Sequence, residues 1–207
     1  LRGQMGPLLP LVIAWLLGVA MLALVGVQRS VPLERLFLDP AHLNGAPWYT
    51  GVISSLGVLL WTVGAVTAAF GAWVAAQTGR PSATRFLAAG SAVGTVLLLD
   101  DLLQLHARLI PEVLGVGKAP AMLLVTAPTL VWAVVWRDEL ARTRWMMLAG
   151  FVASSAVSVG VDHALSPTGA TTLLVEDGAK ILGILAWAMY FTTTTLDITR
   201  STIRAVT

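Results

Sequence analysis

Long apolar runs recur along this chain at about 7–27, 50–76, 85–109, 119–136, 145–164 and 176–196. Each is near the ~20 residues that carry a helix across a bilayer. Polar or helix-breaking connections divide them: Gly79-Arg80-Pro81-Ser82, Pro111 with Gly115, Arg137-Asp138-Glu139, and Ser166-Pro167-Thr168-Gly169. Such clusters are turn signals. A membrane β-barrel would need alternating segments of about ten residues. These runs are continuous and about twice that length. The pattern predicts an all-α, polytopic integral membrane protein, a six-transmembrane-helix bundle forming one domain over 1–207. The run Pro7 to Val27 is too long for a signal-peptide core and lacks a clear small-residue cleavage site. It reads as a retained first helix. The chain opens on Leu1 rather than Met, which leaves the completeness of the N-terminus open.

Composition agrees with the pattern. Of 207 residues, 57% are hydrophobic and 12% charged, with a mean hydropathy of +0.81. A soluble domain carries about 25% charged residues. The net charge of +2 and the lack of a basic tract argue against nucleic acid as a partner. Cysteine is absent, and among the six methionines only Met146 and Met147 adjoin. Disulfides are therefore excluded, and the residue set argues against soft-metal chemistry. Any metal would have to accept carboxylate and imidazole.

Basic residues set the expected orientation. With a cytoplasmic N-terminus, Arg2, Arg80, Arg85, Arg137, Arg142, Arg144, Arg200 and Arg204 fall inside. Arg29, Arg35, Arg108, Lys118 and Lys180 fall outside. The positive-inside rule then places both termini in the cytoplasm, in a plasma (inner) membrane. Ser30, Pro32 and Glu34 resemble a helix start, and Leu33, Leu36, Phe37 and Leu38 would lie along the membrane surface. Trp48 and Tyr49 suit the aromatic belt. Gly57, Gly64 and Gly71 recur every seven residues, and Gly90 with Gly94 forms a GxxxG. Such stripes let helices approach closely in lipid, within one chain, in a homo-oligomer or in a larger membrane complex. Pro128 should kink the fourth helix.

The chemistry gathers at the outer end. Asp100 and Asp101 close an apolar run, and a carboxylate at mid-membrane costs about 2.5–3.5 kcal/mol on insertion scales. Asp100 lies about 22 Å along its helix from Arg85, and Asp162 about 27 Å from Arg144. Glu176, Asp177 and Lys180 begin the sixth helix at a similar level, where the two acids would stand in its first turn. On a regular helix Asp100, Asp101, Gln104 and Arg108 share one face, and His106 points away. Lys180 and Arg108 are therefore the expected charge partners of the Asp pair. A similar order of Arg, Asp, His and Pro in the third and fifth helices suggests a remnant of a two-hairpin repeat.

Three functions fit this cluster. Asp100, Asp101, Asp162, His163 and Glu176 would hold a divalent metal such as Zn, Mn, Fe, Mg or Ca. With one position open, a bound water becomes a nucleophile near neutral pH. The chain would then be a metal-dependent membrane hydrolase of a lipid or lipid-linked substrate. Asp100, Asp101, Glu176 and Asp177 would be its catalytic carboxylates. In placing Ser, Asp and His near one membrane face, the layout resembles alkaline-ceramidase-like membrane hydrolases. Those build zinc on several histidines, whereas this chain has only His42, His106 and His163, so the resemblance assigns no residue. The second function is a proton- or cation-coupled small transporter. The third is a non-enzymatic structural or accessory subunit.

Overall fold

A computed structural model describes residues 8–37, 40–164 and 170–206, apart from the side chains of 8–11, 14, 34, 42, 163–164, 170 and 205–206. The chain divides into two units, Leu1–Thr50 and Gly51–Thr207. In the first unit, α1 spans Leu8–Val27, and two short helices follow, α2 (Leu33–Phe37) and α3 (Pro40–Leu43). Gln28 shapes the turn between α1 and α2. Its amide donates to the Val31 carbonyl at 2.8 Å, and its side-chain oxygen accepts from the Val31 N–H at 3.0 Å. Leu33, Leu36 and Phe37 are exposed. Leu38 lies outside the described residues.

The second unit holds α4 (Val52–Gln77), α5 (Pro81–Leu103), a π-helical turn (Leu105–Leu109), α6 (Ile110–Leu114), α7 (Lys118–Val135), α8 (Arg137–Ala141), α9 (Met146–Ala164) and α10 (Ala170–Val206). All regular structure among the described residues is helical. Gly79 ends the α4–α5 turn at a φ of +66°, a left-handed conformation that glycine adopts without steric cost. Pro81 then opens α5, where its missing N–H has no partner to lose.

Four segments are long and apolar enough to cross a membrane: Val52–Gln77, Pro81–Leu103, Lys118–Val135 and Thr171–Arg204. Two apolar stretches are shorter, Trp15–Val27 and Met146–Asp162. The last helix departs most from the expected bounds of 176–196. It runs for 37 residues, about 55 Å at 1.5 Å per residue. Along its polar tail Thr192, Thr193, Thr199 and Thr202 donate their hydroxyls to carbonyls four residues earlier.

α4 packs chiefly on α5 and α10, and α9 packs on α10. The glycine stripe makes this possible. A Cβ at Gly64 would lie 2.9 Å from the Trp187 ring, and one at Gly90 2.6 Å from the Phe191 ring. At Gly71 it would collide with the Thr195 hydroxyl. That hydroxyl instead donates to the Thr67 carbonyl at 2.8 Å, and Ser91 donates to the Ala65 carbonyl at 2.9 Å. Around these contacts Trp61, Phe86, Trp132, Trp187, Tyr190 and Phe191 form the buried centre. Phe86 stacks on Trp132 at 5.3 Å, and the Trp132 indole donates to the Phe86 carbonyl.

Ionic and polar contacts tie down the opposite end of the bundle. Arg144 grips Asp197 at 3.1 Å, Arg80 donates to Ser201 at 2.7 Å, and Thr143 meets the Tyr190 hydroxyl at 2.8 Å.

Close packing predicts an asymmetry among glycines. Gly90→Ala should destabilise the protein by about 1–3 kcal/mol, because the new methyl overlaps a buried ring. Gly160→Ala, whose Cβ meets open space, should be neutral or stabilising by up to about 1 kcal/mol. Thermal unfolding of the two variants in detergent micelles checks the difference.

Candidate functional site

The site begins where α5 fails to continue. Gln104 takes a left-handed conformation at φ 52°, unusual for a residue with a side chain. Its carbonyl then accepts from the N–H groups of both Arg108 (2.8 Å) and Leu109 (3.3 Å), and the chain runs on as a π turn. Pi-helical segments of this kind are often found at functional sites. Pro111 helps to end the regular ladder, since it offers no N–H to the carbonyl four residues earlier.

This break turns His106 back onto Asp100. Its Nδ1 lies 2.7 Å from Oδ2 and 2.9 Å from Oδ1 of that carboxylate, and its backbone N–H donates to Oδ1 at 2.8 Å. The expectation that His106 points away is corrected: it held only for an unbroken helix. Arg108, expected on the Asp face, is exposed and forms no ion pair among the described residues.

Asp101 faces the other way, toward α4 and α10. Its side chain is 8% exposed, and Oδ1 accepts from the Lys180 ammonium. Oδ2 is buried without a hydrogen-bond partner and sits 3.2 Å from where a Cβ on Gly57 would lie. Lys180 therefore pairs across helices with Asp101, and no ion pair joins it to Glu176 or Asp177 on its own helix among the described residues. Those two acids stand in the second turn of α10, which begins at Ala170, so the first-turn placement is also corrected.

Asp162 finds a base that sequence spacing does not indicate. Lys118, at the start of α7, donates to its Oδ2 at 2.6 Å. The hairpin-repeat expectation does not extend to pairing, because Asp100 pairs within its own segment and Asp162 pairs across helices. The His163 side chain lies outside the described residues. Of the expected metal set, Asp100, Asp101 and Asp162 each meet a separate base. Among the described residues, no group of three or more His, Asp or Glu side chains is placed to hold a metal ion.

Most of these groups open onto one cavity of about 380 Å³. Its polar rim carries Asp100, His106, Lys118, Asp162, Glu176, Asp177 and Lys180. Its floor is apolar, formed by Trp61, Leu97, Phe151 and Ile184, with Met122, Thr126, Thr129 and Leu130 of α7 along one side. From Asp162 to Phe151 the cavity follows α9 for about 16 Å. It thus runs from the charged end toward the middle of the bundle.

A family model described as domain of unknown function (DUF8692) matches residues 10–194. The chain belongs to this family. Neither a curated protein nor a solved structure matches it. In this DUF8692 chain, sequence reasoning brings the carboxylates and Lys180 to one level and misses Trp61, Thr129 and the Lys118–Asp162 pair. Lys118 carried a signal, since it heads the fourth apolar run at the same end as Asp162.

The Asp101–Lys180 pair gives a sharp prediction. Lys180→Met should destabilise the protein by about 3 kcal/mol, because it strands a buried carboxylate. Asp101→Leu combined with Lys180→Met should recover most of that loss. Unfolding midpoints of the two single variants and the double variant, compared as a cycle, measure the coupling.

Proposed function

We propose that this chain is a small membrane transporter that takes its substrate into the cavity beside the broken end of α5. The carrying observation is the cavity itself, which joins a charged rim to an apolar floor within the bundle. Transporters tend to place binding sites at interrupted helices whose backbone lines a cavity. One element here has that character, the α5–π–α6 segment broken at Gln104, and α7, which is continuous, carries Pro128 in its interior. The carboxylate–base pairs at the rim suit exchange, since an arriving cation or proton can replace one partner of a pair without leaving the other bare. Metal-dependent hydrolysis asks instead for several carboxylates to converge on one point. Here Asp100, Asp101 and Asp162 are directed to three different bases.

In this reading α1 and α9 cross the bilayer with the four longer helices, which gives six spans. Both termini then lie in the cytoplasm, and the cavity faces the outer side of an inner membrane. The eight arginines counted to the cytoplasmic side support that orientation.

The chain has no cysteine, so a single Ser155→Cys variant reports on the cavity that Ser155 lines. In sealed vesicles, a membrane-impermeant maleimide should label it from the Asp100 face. Under an imposed proton gradient or membrane potential, labelling from the opposite face should appear as well. Labelling from the Asp100 face alone, under every gradient, would rule out alternating access.

A further inference from the structure

We infer that the Arg144 end of the bundle binds the headgroup phosphate of an anionic phospholipid, with Arg80, Arg144, Arg200 and Arg204 gathered around one face of the α10 tail. This surface lies at the other end of the molecule from the cavity and does not depend on the transport reading.

The charges at this end do not balance. Three acids stand here, and each already has its own arginine. Arg137 lies 3.8 Å from Asp138, Arg142 lies 3.7 Å from Glu139, and Arg144 lies 3.1 Å from Asp197. Glu139 also accepts from the Ser82 hydroxyl. Arg80, Arg85, Arg200 and Arg204 are left without a carboxylate among the described residues, so this end keeps a surplus of four positive charges.

Geometry collects most of that surplus on one face. At 100° per residue, Asp197, Arg200, Ser201 and Arg204 fall within about 100° of one another around α10. Arg144 reaches this face at Asp197, and Arg80 reaches it at Ser201, to which it donates at 2.7 Å. Four arginines thus meet around a single carboxylate. Like charges at such spacing repel. The macrodipole of α10 accounts for Arg204 in the last turn, but not for Arg80, which comes in from the α4–α5 turn and finds only a neutral hydroxyl. An anion on this face removes the repulsion. Arg200 and Arg204 are exposed and offer it paired N–H donors, the geometry that suits phosphate.

The level is that of a lipid headgroup. Trp73, near the end of α4, and Trp145, beside Arg144, are 59% and 54% exposed. Exposed tryptophans at the ends of apolar helices mark the membrane–water interface. The α10 tail turns polar at the same end, through Asp197, Thr199, Arg200 and Ser201. Both α4 and α9 pack on α10, and they present Val66, Phe70, Met146 and Val152 to the acyl chains of a lipid seated there. Free phosphate would gain nothing from those side chains. A zwitterionic lipid would bring a cation of its own into a site that already has cations in excess, so the headgroup carries net negative charge.

The test titrates the full chain in a nonionic detergent with dioleoylphosphatidylglycerol, dioleoylphosphatidylcholine and inorganic phosphate. Bound lipid is counted by native mass spectrometry. The phosphatidylglycerol should bind about tenfold tighter than the phosphatidylcholine, and inorganic phosphate should not displace it. Arg200→Gln/Arg204→Gln should lose most of that preference. Arg137→Gln/Arg142→Gln removes the same charge from the same end and should keep it, which separates a site from diffuse attraction. Unfolding midpoints without added lipid should match the parent for the Arg200/Arg204 variant, whose altered side chains are exposed. Equal binding of the two lipids would overturn the inference, as would an equal loss in both double variants. Displacement of the phosphatidylglycerol by inorganic phosphate would overturn it too, by reducing the site to one for a simple ion.

Discussion

The contact on which the rest depends is the close approach of α10 to α4 along Gly57, Gly64 and Gly71. In lipid the hydrophobic effect does not drive helices together, so contact area must come from shape. Removing three side chains from one face of α4 lets Ile184, Trp187, Ala188 and Thr195 rest almost on its backbone. The same approach determines the chemistry at the Asp100 end. Gly57 belongs to the stripe, and its missing side chain is what gives Asp101 room to lie between α4 and α10. A carboxylate so enclosed requires a cation at hand, and Lys180 supplies it from the helix that the glycines admit.

The cavity is the counterpart of this tight packing. α4, α5 and α10 close on one another, with α9 against α10, whereas α7 meets mainly α5 and the π turn. Space is therefore left on the side where α7 and α9 face each other. Polar groups gather at its mouth because three separate helix ends arrive there: the broken end of α5, the start of α7 and the end of α9. The Lys118–Asp162 pair joins the last two across the rim.

Much of this was legible in the sequence, for particular reasons. Span lengths follow from the bilayer and the helical rise, so α4, α7 and α9 fall within two residues of the expected bounds, whereas α5 starts four residues early and ends six residues short. The level of Asp100, Asp162 and Lys180 follows from the same rise. The orientation of His106 was not legible, because it depends on one left-handed residue, and Gln104 is neither glycine nor asparagine. Pro111 was the only nearby sign of a break, and it does not say where the turn falls. The start of α10 was hidden in a similar way. Ala170, Thr171 and Thr172 read as a loop beside Pro167 and Gly169, yet nothing in them prevents a helix. Pairing between distant segments, as between Lys118 and Asp162, is a property of helix placement that one sequence does not encode locally.

The length of α10 has a mechanical consequence. Lys180, near one end, holds Asp101, and Asp197 and Ser201, near the other, are held by Arg144 and Arg80. No proline interrupts the helix between them. An unbroken α-helix resists compression and twist along its axis, so it works as a connecting rod between the two sets of contacts. A rotation that frees Lys180 cannot be absorbed on the way. It must arrive at the far end as strain on the Arg144–Asp197 clamp, so one helix couples the contacts at the two ends of the bundle.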